Sequence, residues 1–187
     1  ITVNSLYPDA PCVIRGDGSG TASILFNDGS ADTTFVNVVF RSTHANNVGV
    51  LRTSSTGGDD CSGMTFIGCA FNVANSISDA NAAIVLGNRN ADTSGWTFTN
   101  CTFDSAGYEV YGARASNTGW SFSGCTFQSK SRAGVRIDNA AVDTNISGCT
   151  FKGCGITTGA LDQDTTVTIS SCNIDSNLDA IKLDGSA

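Results

Sequence analysis

The chain has 187 residues, 40% of them hydrophobic and only 14% charged, with 21 Gly, 2 Pro, 8 Cys and a net charge of −7. Ten Phe and little Pro exclude a disordered chain, and an acidic balance with no Lys/Arg cluster excludes a basic nucleic-acid binder. No apolar run approaches the ~18 residues needed to span a bilayer, and the length suits one domain over residues 1–187 with a sizeable core.

In chain order, Ile1-Thr-Val-Asn-Ser-Leu-Tyr7 is strand-like but lies outside the register of the rest of the chain. Residues 1–11 therefore read as an N-terminal extension, a strand free for exchange with a neighbour, and residues 12–184 as repeats. Cys12-Val-Ile14 is a faint first copy. Full copies stand at Thr34-Phe-Val-Asn-Val-Val-Phe40, Thr65-Phe-Ile-Gly-Cys-Ala-Phe71 and Thr97-Phe-Thr-Asn-Cys-Thr-Phe103. Three more are Ser121-Phe-Ser-Gly-Cys-Thr-Phe127, Asn145-Ile-Ser-Gly-Cys-Thr-Phe151 and Thr168-Ile-Ser-Ser-Cys-Asn-Ile174. Their fifth positions, 38, 69, 101, 125, 149 and 172, are spaced by 31, 32, 24, 24 and 23 residues, and nine of the ten Phe fall in two columns. Between copies lies a third apolar strand: Ile24–Phe26, Gly49–Leu51, Ile84–Leu86, Val110–Gly112, Val135–Ile137, Gly159–Leu161 and Ile181–Leu183.

Alternation over Trp96-Thr-Phe98-Thr puts Trp96 and Phe98 on one face, but the next inward residues are Cys101 and Phe103. The pattern slips by one residue at Asn37, Gly68, Asn100, Gly124, Gly148 and Ser171. Asn and Gly tolerate a left-handed backbone, so this position predicts a one-residue bend between two short strands. Three strands per turn describe a parallel β-solenoid. With strands ~4.8 Å apart, seven coils make a rod roughly 30–35 Å long.

The Phe-x-Asn/Gly-Cys-x-Phe repeats and their Asn/Gly bend resemble the right-handed parallel β-helix of the pectate lyase and polygalacturonase superfamily, shared by phage tailspikes. The resemblance runs from about Cys12 to Asp184. It implies an all-β right-handed parallel β-helix of about seven coils, in which the bend can form an Asn ladder. It also implies that any catalytic carboxylates sit on the third strand. There, Arg136, Ala160 and Lys182 read as one outward column and Asp138, Asp162 and Asp184 as the next. Stacked carboxylates raise one another's pKa or recruit a cation such as calcium, and a carboxylate pair serves glycoside hydrolysis. The Asn-Thr-Asp, Gly-His-Gly and Arg-Ile-Lys motifs of polygalacturonases are missing, as are the calcium site and catalytic Arg of pectate lyases. No catalytic, metal or cofactor role is therefore assigned.

Cys12, Cys69, Cys101, Cys125, Cys149 and Cys172 share an inward column with Val38, where Cys acts as a small buried hydrophobe. A line of single sulfurs lacks the converging geometry of a zinc site. Cys61 and Cys154 read as unpaired loop residues about three coils apart. His44, the only histidine, reads as a solvated loop residue, and Arg15-Gly16-Asp17 as a turn. Asn100-Cys-Thr102 and Asn145-Ile-Ser147 are glycosylation sequons on paper.

The outward rows are unusual. Thr34, Thr65, Thr97, Ser121, Asn145, Thr168 form one. Val36, Ile67, Thr99, Ser123, Ser147, Ser170 form the next, and Val39, Ala70, Thr102, Thr126, Thr150, Asn173 a third across the bend, without one charge among them. Small and β-branched residues suit strands in general. Ice binding would need regular Thr-x-Thr rows, and only Thr97-x-Thr99 is one. The reading adopted is a flat contact surface centred on Thr65, Thr97, Thr99, Ser121, Ser123, Thr102, Thr126 and Thr150. No amphipathic cap, signal peptide or initiator Met is seen at the termini, which points to a processed or excised chain that stacks end to end or donates a strand, or else to one segment of a longer spike.

The expectation is a non-enzymatic structural or adhesive module, extracellular or on a virion surface, whose partner is another copy of itself. The alternative is a polysaccharide-binding or polysaccharide-degrading domain.

Overall fold

The computed structural model describes residues 1–4, 11–16, 24–26, 30–42, 51–53, 60–73, 83–87, 92–105, 108–113, 119–129, 133–138, 143–159, 166–177 and 179–183. They form three seven-stranded parallel sheets, each taking one strand from every coil. The first sheet stacks Thr2–Asn4, Thr34–Val36, Thr65–Ile67, Thr97–Thr99, Ser121–Ser123, Thr144–Ser147 and Val167–Ser170. The second stacks Cys12–Gly16, Val38–Ser42, Ala70–Val73, Thr102–Ser105, Thr126–Ser129, Thr150–Lys152 and Asn173–Asp175. The third stacks Ile24–Phe26, Leu51–Thr53, Ala83–Gly87, Tyr108–Ala113, Val135–Asp138, Ile156–Thr158 and Ile181–Leu183.

The bend between the first and second sheets is where the sequence slips. Asn37, Gly68, Asn100, Gly124, Gly148 and Ser171 all hold φ between 53° and 63°. The left-handed residue re-aims the chain without breaking the ladder. Its N–H donates to the carbonyl just before the bend of the next coil, as from Asn37 to Ile67, Gly68 to Thr99 and Asn100 to Ser123, at 2.8–2.9 Å. Polar backbone at the corner is thereby satisfied. Asn and Gly are interleaved here, so the amide oxygen of Asn37 reaches over Gly68, and that of Asn100 over Gly124.

Packing follows from the period. Phe35, Phe66, Phe98 and Phe122 stack in one column, with ring centroids 4.9–5.3 Å apart and planes within 7°. Phe40, Phe71, Phe103, Phe127 and Phe151 stack in the other at 4.6–4.9 Å. Between the columns the rings meet edge-on, as Phe98 and Phe103 do at 5.7 Å and 64°, which the ring quadrupole favours. Trp96 and Trp120 stack at 5.4 Å. Each indole N–H donates to a carbonyl of the preceding coil, Cys61 and Thr93 respectively, at 2.6 Å.

Four expectations are corrected. The N-terminal strand is not outside the register: Thr2, Val3 and Asn4 pair with Thr34, Phe35 and Val36. It is the edge strand of the first sheet, and Cys12 pairs with Val38 as the faint repeat implies. The third strand is displaced in coils where loop lengths change. The second is Leu51–Thr53 rather than 49–51, and Val85, not Ile84, pairs with Val110. The sixth is Ile156–Thr158 rather than 159–161. Arg15 and Gly16 extend a strand rather than opening a turn; Asp17 and His44 lie outside the described residues. Finally, Cys61 and Cys154 are wholly buried core residues rather than loop residues, and neither forms a disulfide.

Candidate functional site

The alternation that buries the Phe columns turns the residues between them outward. The ladder brings Thr34, Thr65, Thr97, Ser121, Asn145 and Thr168 into one row and Val36, Ile67, Thr99, Ser123, Ser147 and Ser170 into the next. Across the bend run Val39, Ala70, Thr102, Thr126, Thr150 and Asn173. All are half-buried or exposed and none is charged. The eight hydroxyl residues singled out from sequence thus lie in register on two adjoining sheets, one rung of ~4.8 Å apart along each row. Thr97 Oγ1 donates to Thr65 Oγ1 at 3.2 Å, so neighbouring rungs link sideways.

Charge begins one row further out. Arg15, Arg41, Asn72, Asp104, Gln128, Lys152 and Asp175 occupy successive rungs of the second sheet. The row opens with two cations, at the first two coils, and closes with an anion at the seventh. The same period made it readable in the sequence, because each residue lies two places after an uncharged one.

On the third sheet, Arg136 pairs with Thr157 and Thr157 with Lys182, so Thr157, not Ala160, is the middle member of that row. Asp138 pairs with Ala113 at the end of its strand. Gly159 N donates to Ile137 O at 2.7 Å, which places Gly159 on the rung after Asp138. Asp162 and Asp184, the other expected members of that carboxylate row, both lie outside the described residues. Lys182 and Thr157 instead line a groove of about 450 Å³ with Ala133, Gly155, Asn177 and Asp179. Its wall requires a glycine: a Cβ on Gly155 would collide with the carbonyl oxygens of Asp179 and Ala180. Asn177 and Asp179 were not singled out from sequence, since nothing periodic marks a groove built from a loop.

The cysteine column is a hydrogen-bonded one. From Cys69 to Cys172 each thiol of the column lies within sulfur hydrogen-bonding distance of the carbonyl two residues back and of one in the preceding coil. For Cys101 these are Thr99 at 3.5 Å and Phe66 at 3.4 Å, and for Cys125 Ser123 at 3.6 Å and Phe98 at 3.3 Å. Hydrogen bonds to Cys125, followed by burial, push the Cys101 and Cys149 thiols above the ordinary range, while the same bonds act to lower Cys125. Burial opposes the charged form at Cys101 and Cys149. Only the end sulfurs differ: Cys12 is exposed and Cys172 half-buried, while the other six are buried.

A second turn row precedes the first sheet. Asp60 accepts bonds from Ser62 N at 3.0 Å and Ser62 Oγ at 2.7 Å, which hold its carboxyl below the usual range. Asp92 accepts from Ser94 N at 2.9 Å and pairs with Asp60 on the adjacent coil. The recurring Asp-x-Ser-Gly is its sequence signal. No cluster of three or more potential metal-ligating His, Cys, Asp or Glu side chains occurs among the described residues.

Seven coils, three parallel sheets and two stacked aromatic columns define a parallel β-helix protein. The family described as right handed beta helix region matches residues 82–187, more than half of the chain, and the chain belongs to it. Comparison with curated proteins and with solved structures gave no match in either case. The ladders run unchanged into the coils before residue 82, so those share the construction. No helix among the described residues is long and apolar enough to cross a membrane.

Proposed function

We propose that this protein is a structural or adhesive β-helix rod that associates with copies of itself, in an extracellular fibre or a virion appendage. The observation that carries this reading is the set of uncharged rows in register on two adjoining sheets. A face of hydroxyl and methyl groups at one regular spacing can be covered without desolvating a charge, the step that most often makes protein surfaces resist contact. Rigid ring stacks beneath it keep the rows flat and evenly spaced. Sedimentation velocity over a hundredfold concentration range, with electron microscopy of the same samples, tests it. Concentration-dependent elongated species are expected, and a monomer throughout would overturn the reading.

A polysaccharide-binding role is the second reading, favoured by the groove in which Lys182, Thr157, Asn177 and Asp179 converge. Incubation with a panel of polysaccharides, following binding, reducing ends and unsaturated-sugar absorbance, separates the two. Retention or cleavage lost in Lys182→Ala would move the assignment to this groove.

A further inference from the structure

Along the side of the rod, the turns that lead into the third sheet stack over one another. Gly134 N donates to Gly155 O at 2.8 Å and Ile156 N to Ala180 O at 3.0 Å, which sets the segments at 133–134, 155 and 179–180 on consecutive rungs. The groove of about 450 Å³ lies on these turns and on Thr157 and Lys182 of the strands that follow them. That volume falls within the roughly 300–1,000 Å³ of small-ligand sites. Ala133 and Gly155 are buried beneath it, Thr157 is half-buried, and Asn177, Asp179 and Lys182 are exposed.

Four side chains of different hydrogen-bonding character share this groove. The Asp179 carboxylate accepts, the Lys182 ammonium donates, and Asn177 and Thr157 do both. The one formal anion and the one formal cation cancel. Thr157 and Lys182 stand on adjacent rungs, ~4.8 Å apart, while Asn177 and Asp179 come from the segment before the last strand.

That mixture selects among ligands. An anionic sugar would gain Lys182 but set its own carboxylate beside Asp179, in the field of a chain of net charge −7. A neutral sugar has no charge to place. Each of its hydroxyls can accept from Lys182 or Asn177 while donating to Asp179, in a run of charge-assisted bonds where each polarises the next. No aromatic ring stands among the groove's described residues for a sugar face to stack on, so recognition rests on those bonds. We propose that this groove binds one unit of a neutral polysaccharide through Asp179, Lys182, Asn177 and Thr157. The inference rests on the polysaccharide-binding reading above and names the ligand class of that site.

The full chain, labelled with nitrogen-15, is titrated by amide NMR with neutral trisaccharides of glucose, mannose, galactose and rhamnose, and in parallel with trigalacturonate, each to about 50 mM, a range that captures millimolar Kd values. Saturable shifts centred on Gly155, Thr157, Asn177, Asp179 and Lys182 are expected with at least one neutral sugar. They should be unchanged between low and high salt, because no net charge is exchanged, and weaker or absent with trigalacturonate. Asp179→Asn and Lys182→Ala should each weaken binding about tenfold. The unfolding midpoint should hold in both, since both side chains are exposed. Lys152→Ala, on the second sheet, should leave binding as it was. Tighter binding of trigalacturonate overturns the neutral-sugar assignment while the polysaccharide reading stands. Neutral-sugar binding that survives both Asp179→Asn and Lys182→Ala overturns the groove as its site. No saturable shift with any of the sugars overturns both the inference and the reading beneath it.

Discussion

Alanine at Gly68 and at Gly148 separates two costs that the bend position carries. Both glycines are left-handed, with φ of 61° and 60°. Placing a residue with a Cβ there costs about 1–2 kcal/mol. A Cβ on Gly148 meets nothing nearer than Gly124 N at 3.9 Å, whereas one on Gly68 lies 2.6 Å from Asn37 Oδ1 and must displace that amide. Gly148→Ala should therefore cost about 1–2 kcal/mol, and Gly68→Ala about 1 kcal/mol more, the worth of a displaced polar contact. Gly148→Asn should cost less than Gly148→Ala, because Asn is the side chain that visits this conformation. Urea unfolding followed by fluorescence of the buried, stacked Trp96 and Trp120 reports the differences. A double-mutant cycle with Asn37→Gly isolates the contact. The expected coupling is about 1 kcal/mol, with Asn37→Gly relieving part of the Gly68→Ala defect. Equal losses at both sites and no coupling would refute the interleaved bend, and losses below about 0.3 kcal/mol at both would refute its left-handed geometry.

The core sets three further outcomes. Phe98 is buried and stacked at 4.9 Å on both Phe66 and Phe122, so Phe98→Ala should cost about 3–5 kcal/mol in urea unfolding; a loss under about 1 kcal/mol would contradict the continuous stack. Thr144 Oγ1 is buried with no hydrogen-bond partner among the described residues, so Thr144→Val should leave the denaturation midpoint unchanged or raise stability by up to about 1 kcal/mol. Cys101 and Cys149 are raised in the fold, while unfolded thiols ionise near pH 8.5. Their contribution is present below that pH and is lost as pH rises above it, by about 1.4 kcal/mol per pH unit per thiol. Denaturation midpoints should thus fall between about pH 9 and 11, less steeply in Cys149→Val, and a flat profile would contradict the buried neutral column.

The coil is legible in the residue pattern alone. Its Phe columns, its one-residue slip at Asn37, Gly68 and their equivalents, and the registration of the Thr and Ser rows all follow from a side-chain period of two, interrupted once per turn. Such local rules act within seven consecutive residues and need no knowledge of what lies across the core. The third strand was legible only where loop lengths were constant. Where they change, the ladder chooses which residues pair, and it took Ile156–Thr158 over the equally apolar stretch after it. That choice, made by hydrogen bonding between coils rather than by any local preference, set Thr157 beside Lys182. Likewise the burial of Cys61 and Cys154 and the pairing of Thr2–Asn4 into the first sheet exist only once the coils are stacked. A repeat encodes its own rung; what stands beside that rung is decided by the stack.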